Sequence, residues 1–404
     1  MTEWKKGRIK DLIDHLESGI SVNGSDADPV FDESAVLKVS AVTYGFFDHQ
    51  ACKPLRNEKE LRRAKCNPRA GEIIISRSNT PNLVGASAYV KKDYPNRFLP
   101  DKLWQTVQKE NVVTNMQWLA YFISSPSTRF RLTSLATGTS NSMKNITKSE
   151  LMTLPLLIPP FQEQKAIADL LSTWDEAIEK TERLIQTKEK QFQRLLNDLI
   201  YVPTIEGKWK QVKTKSLFKE RKETNRKDLP LLSITNSEGV IPREDTNRKD
   251  TSNEDKSKYL RICPGDIGYN TMRMWQGVSA LSTLEGIVSP AYTICIPGGK
   301  LDPSFVAYLF KMPFMIHRFY RYSQGLTSDT WNLKYPHFCE VKIPLPSLEE
   351  QKQIAETLST AQQEIDLLKQ LAEKYKTQKR GLMQMMLTGE WRVKDEIINK
   401  YRET

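Results

Sequence analysis

Several features that would mark an enzyme or a membrane protein are missing from this sequence. No apolar run approaches the roughly 20 residues that a membrane helix needs. The opening MTEWKKGRIK lacks the basic, apolar and small-residue order of a secretory signal. The five cysteines (Cys52, Cys66, Cys263, Cys295, Cys339) include no close pair of the kind that holds zinc and suggest no disulfide framework. A reducing, cytoplasmic setting is therefore expected. His15, His49, His317 and His337 are scattered without HExxH spacing, and neither GxxxxGK[ST] nor GxGxxG occurs. No metal or cofactor is expected in this chain. What is present is ordinary soluble composition, 39% hydrophobic and 27% charged, with a net charge of +11. That surplus favours polyanionic partners, because each Lys or Arg that neutralises a phosphate releases condensed counterions.

The chain repeats itself. Residues 162–173, QEQKAIADLLST, match 349–360, EEQKQIAETLST, at eight of twelve positions with a shift of 187. The same shift places Gly138 over Gly325, Asn145 over Asn332 and Pro159 over Pro346, while upstream a shift of 194 places Gly71 over Gly265 and Glu72 over Asp266. Two copies of one unit, with insertions or deletions between them, account for this pattern. Trp4, Trp209 and Trp391 sit in similar basic settings, so the C-terminus reads as the start of a third copy, as expected if the ends meet and close a pseudo-twofold ring.

Each copy ends in a heptad seam. The first runs through Ile167, Leu171, Trp174, Ile178, Thr181, Ile185, Lys188, Phe192, Leu195 and Leu199; the second through Ile354, Leu358, Ala361, Ile365, Leu368, Ala372, Tyr375, Lys379, Leu382 and Met386. Alternating steps of four and three keep a stripe facing a partner helix. Forty helical residues make a rod of about 60 Å, so two rods burying their seams against each other, antiparallel, are expected. Ser347 and Glu350 have capping-box spacing, whereas the first helix has Pro160 in place of Ser347. The intervening regions carry short β-rich runs such as EIIISR and LPLLSIT, broken by turn residues and followed by helical stretches. The expected fold is α+β. Residues 1–154 and 204–341 form two mixed globules, 155–203 and 342–404 two helical regions.

Catalytic motifs fail on inspection. IPPF at Ile158–Phe161 resembles the [DN]PP[YFW] motif of amino-group DNA methyltransferases, but Ile158 stands where the motif needs Asp or Asn. Glu163-Gln-Lys165 and Glu350-Gln-Lys352 match the end of a PD…ExK nuclease pattern without its upstream Asp. Polar loops are the better candidates. SRSNTPN offers Arg77, Ser78 and Asn79 at a strand exit, and NTMRMWQG offers Thr271, Arg273, Trp275 and Gln276 in the second copy. Arg can read guanine bidentately, and Asn or Gln adenine. TGTSNSMKN (Thr139, Asn141, Lys144) and SQGLTSDTWN (Trp331), with Lys334 just after it, form a second matched pair suited to close backbone approach. The alternative for SRSNTPN and NTMRMWQG is an ordinary solvated loop. KERKETNRKD (Lys219–Asp228) reads as a solvated face.

The paired junctions LIPPFQEQKAIADLLST and IPLPSLEEQKQIAETLST, the long helix after each and the GTSNSMKN…LPLLIPP approach resemble the specificity subunits of type I restriction-modification enzymes, over essentially the whole chain. The resemblance implies that the globules are target recognition domains and the helices the central and distal conserved regions. It further implies a bipartite, interrupted double-stranded DNA target whose gap is set by the helices. Two methyltransferase subunits, using S-adenosylmethionine, and ATP- and Mg-dependent restriction/translocase subunits would be its partners, with no catalysis by this chain itself. A structural coiled-coil DNA-binding adaptor and a single-chain restriction-methyltransferase are the alternatives, the latter opposed by the missing motifs.

Overall fold

The computed structural model describes residues 3–30, 32–140, 143–236, 238–246, 255–327 and 330–401. Its contacts fall into two compact units, Met1–Thr181 with Leu371–Thr404, and Glu182–Gln370. Each unit therefore combines one globule with part of both long helices.

The first globule is built on an antiparallel sheet in the order Ile13–Ser18, Leu103–Gln108, Ile73–Ser76, Ser87–Tyr89. The unbroken run Ile73-Ile74-Ile75 serves two cores, as expected of a strand covered on both faces. Ile73 and Ile75 pack with Trp118, Leu119 and Ile123, while Ile74 packs with Ala35, Leu37 and Leu99. The second unit repeats the plan with Phe218–Glu220, Tyr292–Pro297, Ile267–Asn270 and Ser279–Leu281 in the same order. Gly268 stands where Ile74 stands at the shift of 194, and a Cβ there would lie 2.3 Å from Ile234 Cδ1. The bare backbone lets the smaller core of Leu232, Ile234, Ile262 and Ile294 close over the strand.

Each sheet is followed by two short helices, Met116–Ser124 and Pro126–Leu135 in the first unit, Pro303–Lys311 and Pro313–Tyr322 in the second. Asn115 caps the first pair by accepting from Trp118 N at 2.8 Å, and Asp302 caps the second by accepting from Phe305 N at 2.9 Å. A short ladder then returns the chain to where the globule began: Lys5–Arg8 pairs with Pro155–Ile158, and Lys210–Lys213 with Lys342–Leu345.

The long helices span Phe161–Leu196 and Leu348–Thr388. The first ends through a π-helical turn at Asn197–Tyr201 and a last turn at Val202–Ile205. Gly207 (φ +72°) and Gly389 (φ +79°) follow the two helix ends in the left-handed conformation that glycine tolerates. Within the first unit the two helices run antiparallel: Trp174 meets Tyr375 edge-on at 5.7 Å, and Glu163 near one start meets Arg392 just past the other end. The named seam positions are all buried or half-buried. The cations that interrupt the seam are neutralised there, Lys379 by Asp175 and Lys188 by Glu364 at 2.7 Å. Among the described residues, no helix is long and apolar enough to cross a membrane.

The repeated EQK acts as a clamp. Glu163 accepts the Trp4 indole Nε1 at 3.0 Å, and Glu350 accepts the Trp209 indole Nε1 at 3.0 Å. Gln164 accepts from Asn115 N and donates to Pro159 O, both at 2.9 Å. Gln351 repeats this with Asp302 N and Pro346 O at 2.9 and 3.0 Å. Half of the expected capping box forms, with Glu350 N donating to Ser347 Oγ at 3.2 Å. The Glu350 carboxylate is directed instead to the Trp209 indole.

The two junctions differ at the glutamate. Glu163, 1% exposed, also accepts a bidentate pair of hydrogen bonds from Arg392 at 2.7 Å each. The guanidinium lies 5.2 Å from the Trp4 ring centroid. The C-terminal segment thus joins the first copy, with Val393 and Ile398 in its core. Trp391 does not take a third indole position; it is 55% exposed, and Trp4 lies against Gly389.

Candidate nucleic-acid interface

The polar stretches singled out in each globule are some 60 residues apart in the chain and adjacent in the fold. In the first unit Ser78–Asn79 pairs with Met143–Asn145, which pairs in turn with Thr137–Ser140. In the second, Leu333 N donates to Thr271 O at 2.8 Å and Gln324 bridges Asn332. These are matching bonds, since Ile146 N donates to Arg77 O at 2.9 Å in the first unit. Each loop leaves the central strand beside a matching hydrogen bond, Ser76 N to Ala86 O at 2.7 Å and Asn270 N to Val278 O at 3.0 Å. Each closes on a left-handed glycine, Gly85 (φ +74°) or Gly277 (φ +79°). By this correspondence Arg77 matches Thr271, and residues 77–84 match the shorter 271–276.

Gly138 and Gly325 also correspond, with φ of +151° and +150°. A Cβ would stand 2.5 Å from Met143 O in one and 2.7 Å from Thr330 O in the other. Glycine is required at both by close backbone approach and by φ.

The side chains divide into anchored and free. Ser78 is a correction to the sequence reading: it is 4% exposed in the sheet, so its hydroxyl faces inward and not toward a groove. Arg77 is half-buried, donating from Nε to Asp101 O at 2.7 Å with Nη2 3.6 Å from Asp101 Oδ2. Lys144 Nζ donates to Gly138 O at 2.8 Å, Thr271 Oγ1 to Ala291 O at 2.9 Å, and Asn79 Oδ1 accepts from Thr80 N at 2.8 Å. Arg273, Gln276 and Lys334 are exposed, and their side chains have no hydrogen-bond or ion-pair partner among the described residues. Trp275 and Trp331 pack edge-to-face at 5.2 Å. Asn141 lies outside the described residues, and Thr139 contributes its backbone to the sheet.

Two cations missed at sequence level support these loops from behind. Arg129 donates to Val84 O and to Asn82 O, at 2.5 and 3.1 Å. Lys311 Nζ donates to Gly277 O at 2.9 Å and to Asn236 Oδ1 at 2.8 Å. Burial pushes Arg129 down to about 10 and Lys311 down to about 8. Each side chain ties down a carbonyl of its loop. Nothing near Arg129 or Lys311 in sequence signals this role.

A family model described as the type I restriction modification DNA specificity domain matches residues 1–189 and again 208–376. The chain belongs to this family. A curated relative, the type I restriction enzyme MjaVIII specificity subunit of Methanocaldococcus jannaschii, is 24% identical over 367 residues, covering 84% of this chain and 80% of its own. The crystal structure of a type I restriction-modification S subunit from M. genitalium matches with a TM-score of 0.60 at 16% identity, covering 95% of this chain and 96% of its own. A chain from a structural study of type I R-M complex assembly and conformational transition matches with a TM-score of 0.54 at 16% identity, covering 97% and 99%.

This chain is thus a type I restriction-modification specificity subunit with two recognition domains. The features that resembled catalytic motifs have structural roles. Ile158 ends a strand opposite Lys5, and the ExK glutamates are the indole acceptors of the junctions. The Lys219–Asp228 run is more than a solvated face. Arg221 reaches inward to Asp266, 3% exposed in its side chain, at 2.7 Å, and Arg261 and Arg226 share Glu223. Among the described residues, no group of three or more His, Cys, Asp or Glu is placed to hold a metal ion.

Proposed function

We propose that each recognition domain reads one half of a bipartite, interrupted DNA target, through the loop pair that its sheet brings together. One observation carries this reading: the same two-loop site is built twice on matching hydrogen bonds, with different side chains on it. Duplicated scaffolds with divergent loops suit two unlike half-sites. Exposed Arg273, Gln276 and Lys334 supply groups able to reach base edges or phosphates, and the net charge of +11 supplies the sequence-independent affinity. Anchored Arg77 and Lys144 shape the first loop pair and present their remaining donors from fixed positions.

The chain is non-catalytic on this reading and binds no cofactor. Two methyltransferase subunits dock on the helices and carry S-adenosylmethionine, and restriction/translocase subunits use ATP and Mg. Leu170, Leu184 and Leu367, exposed on the long helices, are suited to such docking. The complex works in the cytoplasm. Methylation-sensitive sequencing of host DNA tests the proposal and should return two short specific elements around an unread gap. A continuous motif, or no motif lost on deletion of this chain, would refute it.

A further inference from the structure

The two loop pairs share a backbone but not a chemistry. In the second unit Trp331 packs against Trp275 at 5.2 Å and against Tyr320 at 4.8 Å, both edge-to-face. Trp275 Nε1 is already used by Met272 O at 3.0 Å, so that ring presents apolar surface. Tyr320 is 42% exposed, and Met272 and Leu326 beside these rings in sequence are exposed as well. At the shift of 187 the first unit has Lys144 for Trp331, Thr133 for Tyr320 and Thr139 for Leu326. Trp275 and Trp331 are half-buried, and a partly exposed apolar cluster of this kind marks a contact surface. Arg273, Arg321 and Lys334, each within three residues of one of these rings in sequence, are exposed and favour a polyanion as the occupant.

Resting on the half-site reading above, we infer that the Trp275–Trp331–Tyr320 cluster reads an A·T pair in the second domain's half-site by apolar contact with the thymine C5-methyl group. In the major groove that methyl is the one apolar feature that separates A·T from the other pairs. Trp331 already gives ring area to two neighbours, which favours contact with a small methyl over stacking on an extruded base. The first domain, with lysine and threonine at the same places, reads by polar groups instead.

The test replaces each thymine of the recognised motif with uracil, one at a time. This removes the methyl and leaves pairing and phosphates intact. Duplex binding is measured with the full-length chain assembled with its methyltransferase subunits. One position in one half-site should lose about fourfold in affinity, the size of a single buried methyl group. Trp331→Ala should bind thymine and uracil duplexes equally. Tyr320→Ala, at a more exposed site, gives the same readout if the first variant folds poorly. Equal binding of thymine and uracil at every position overturns the inference, as does a uracil penalty that persists in both variants. Alanine variants that impair subunit assembly with no uracil penalty in the parent would assign the cluster to a protein contact and also overturn it. Those outcomes leave the half-site reading intact if cognate DNA still outcompetes scrambled DNA; loss of that preference in the parent complex removes the half-site reading itself.

Discussion

Arg77 and Arg273 look interchangeable as sequence candidates and differ in what holds them. Arg77 spends its guanidinium on Asp101, while Arg273 is exposed on the turn that Gly277 closes. Arg273→Ala should therefore relax one position of one half-site, costing about 1 to 3 kcal/mol against the cognate base. Competition binding with singly substituted duplexes checks this, and equal loss on all sequences would make Arg273 a phosphate contact. Glu72 and Asp266 make a second instructive pair. Asp266 has Arg221 as partner, with Cys263 N donating at 2.8 Å. Glu72, buried at the matching position, accepts from Thr106 Oγ1 at 2.6 Å and Gln108 N at 3.3 Å. Burial raises its pKa, and those two hydrogen bonds and the charge of Arg69 only partly oppose the shift. A carboxyl raised in the folded state contributes stability that is complete below its unfolded pKa and is lost as pH rises through the folded one. Glu72→Gln should therefore stabilise the protein at neutral pH, with the gain shrinking toward pH 4. Denaturant unfolding across that range measures it, and a gain independent of pH would show that Glu72 is not the titrating group.

At the scale of elements, the junctions show what sequence can and cannot reveal. Heptad spacing exposed both long helices, because burial of a stripe leaves a period that is visible locally. The clamping by Glu163, Gln164, Glu350 and Gln351 is not visible locally, since the partners it joins from other elements lie 49 to 229 residues away. The loop pairs were matched by residue type, but their convergence depends on strand pairing that no local period encodes. Ser78 misled for the same reason, because a polar residue in a Ser- and Asn-rich stretch reads as loop until its strand partner is known. The junction also carries a stability prediction. Arg392→Ala would leave the Glu163 carboxylate buried with only the Trp4 indole, a loss of about 3 to 5 kcal/mol. Glu350→Gln, which keeps an acceptor for Trp209 at a half-buried site, should cost about 1 kcal/mol or less. Urea unfolding of both variants tests the contrast, and similar losses would show that the buried ion pair adds nothing to the indole bond.

For the whole molecule, the duplication explains why one chain carries two sheets of identical strand order, two clamps and two helix halves in each unit. The first long helix leaves the first unit after Thr181, and the second leaves the second unit after Gln370. Both crossings fall inside uninterrupted helices, so added residues there lengthen the helices without touching either loop pair. Seven residues preserve the alternating seam, because two turns of a heptad return the stripe to the same face. One heptad at each crossing adds about 10 Å at 1.5 Å per residue, which corresponds to about 3 bp at 3.4 Å per step. If the helices set the gap, the inserted variant should methylate the same two half-sites separated by a gap longer by about 3 bp, as read by methylation-sensitive sequencing. Recovery of the original gap with full activity would mean that the spacing is imposed by the docked methyltransferase subunits, with the helices serving only as their platform.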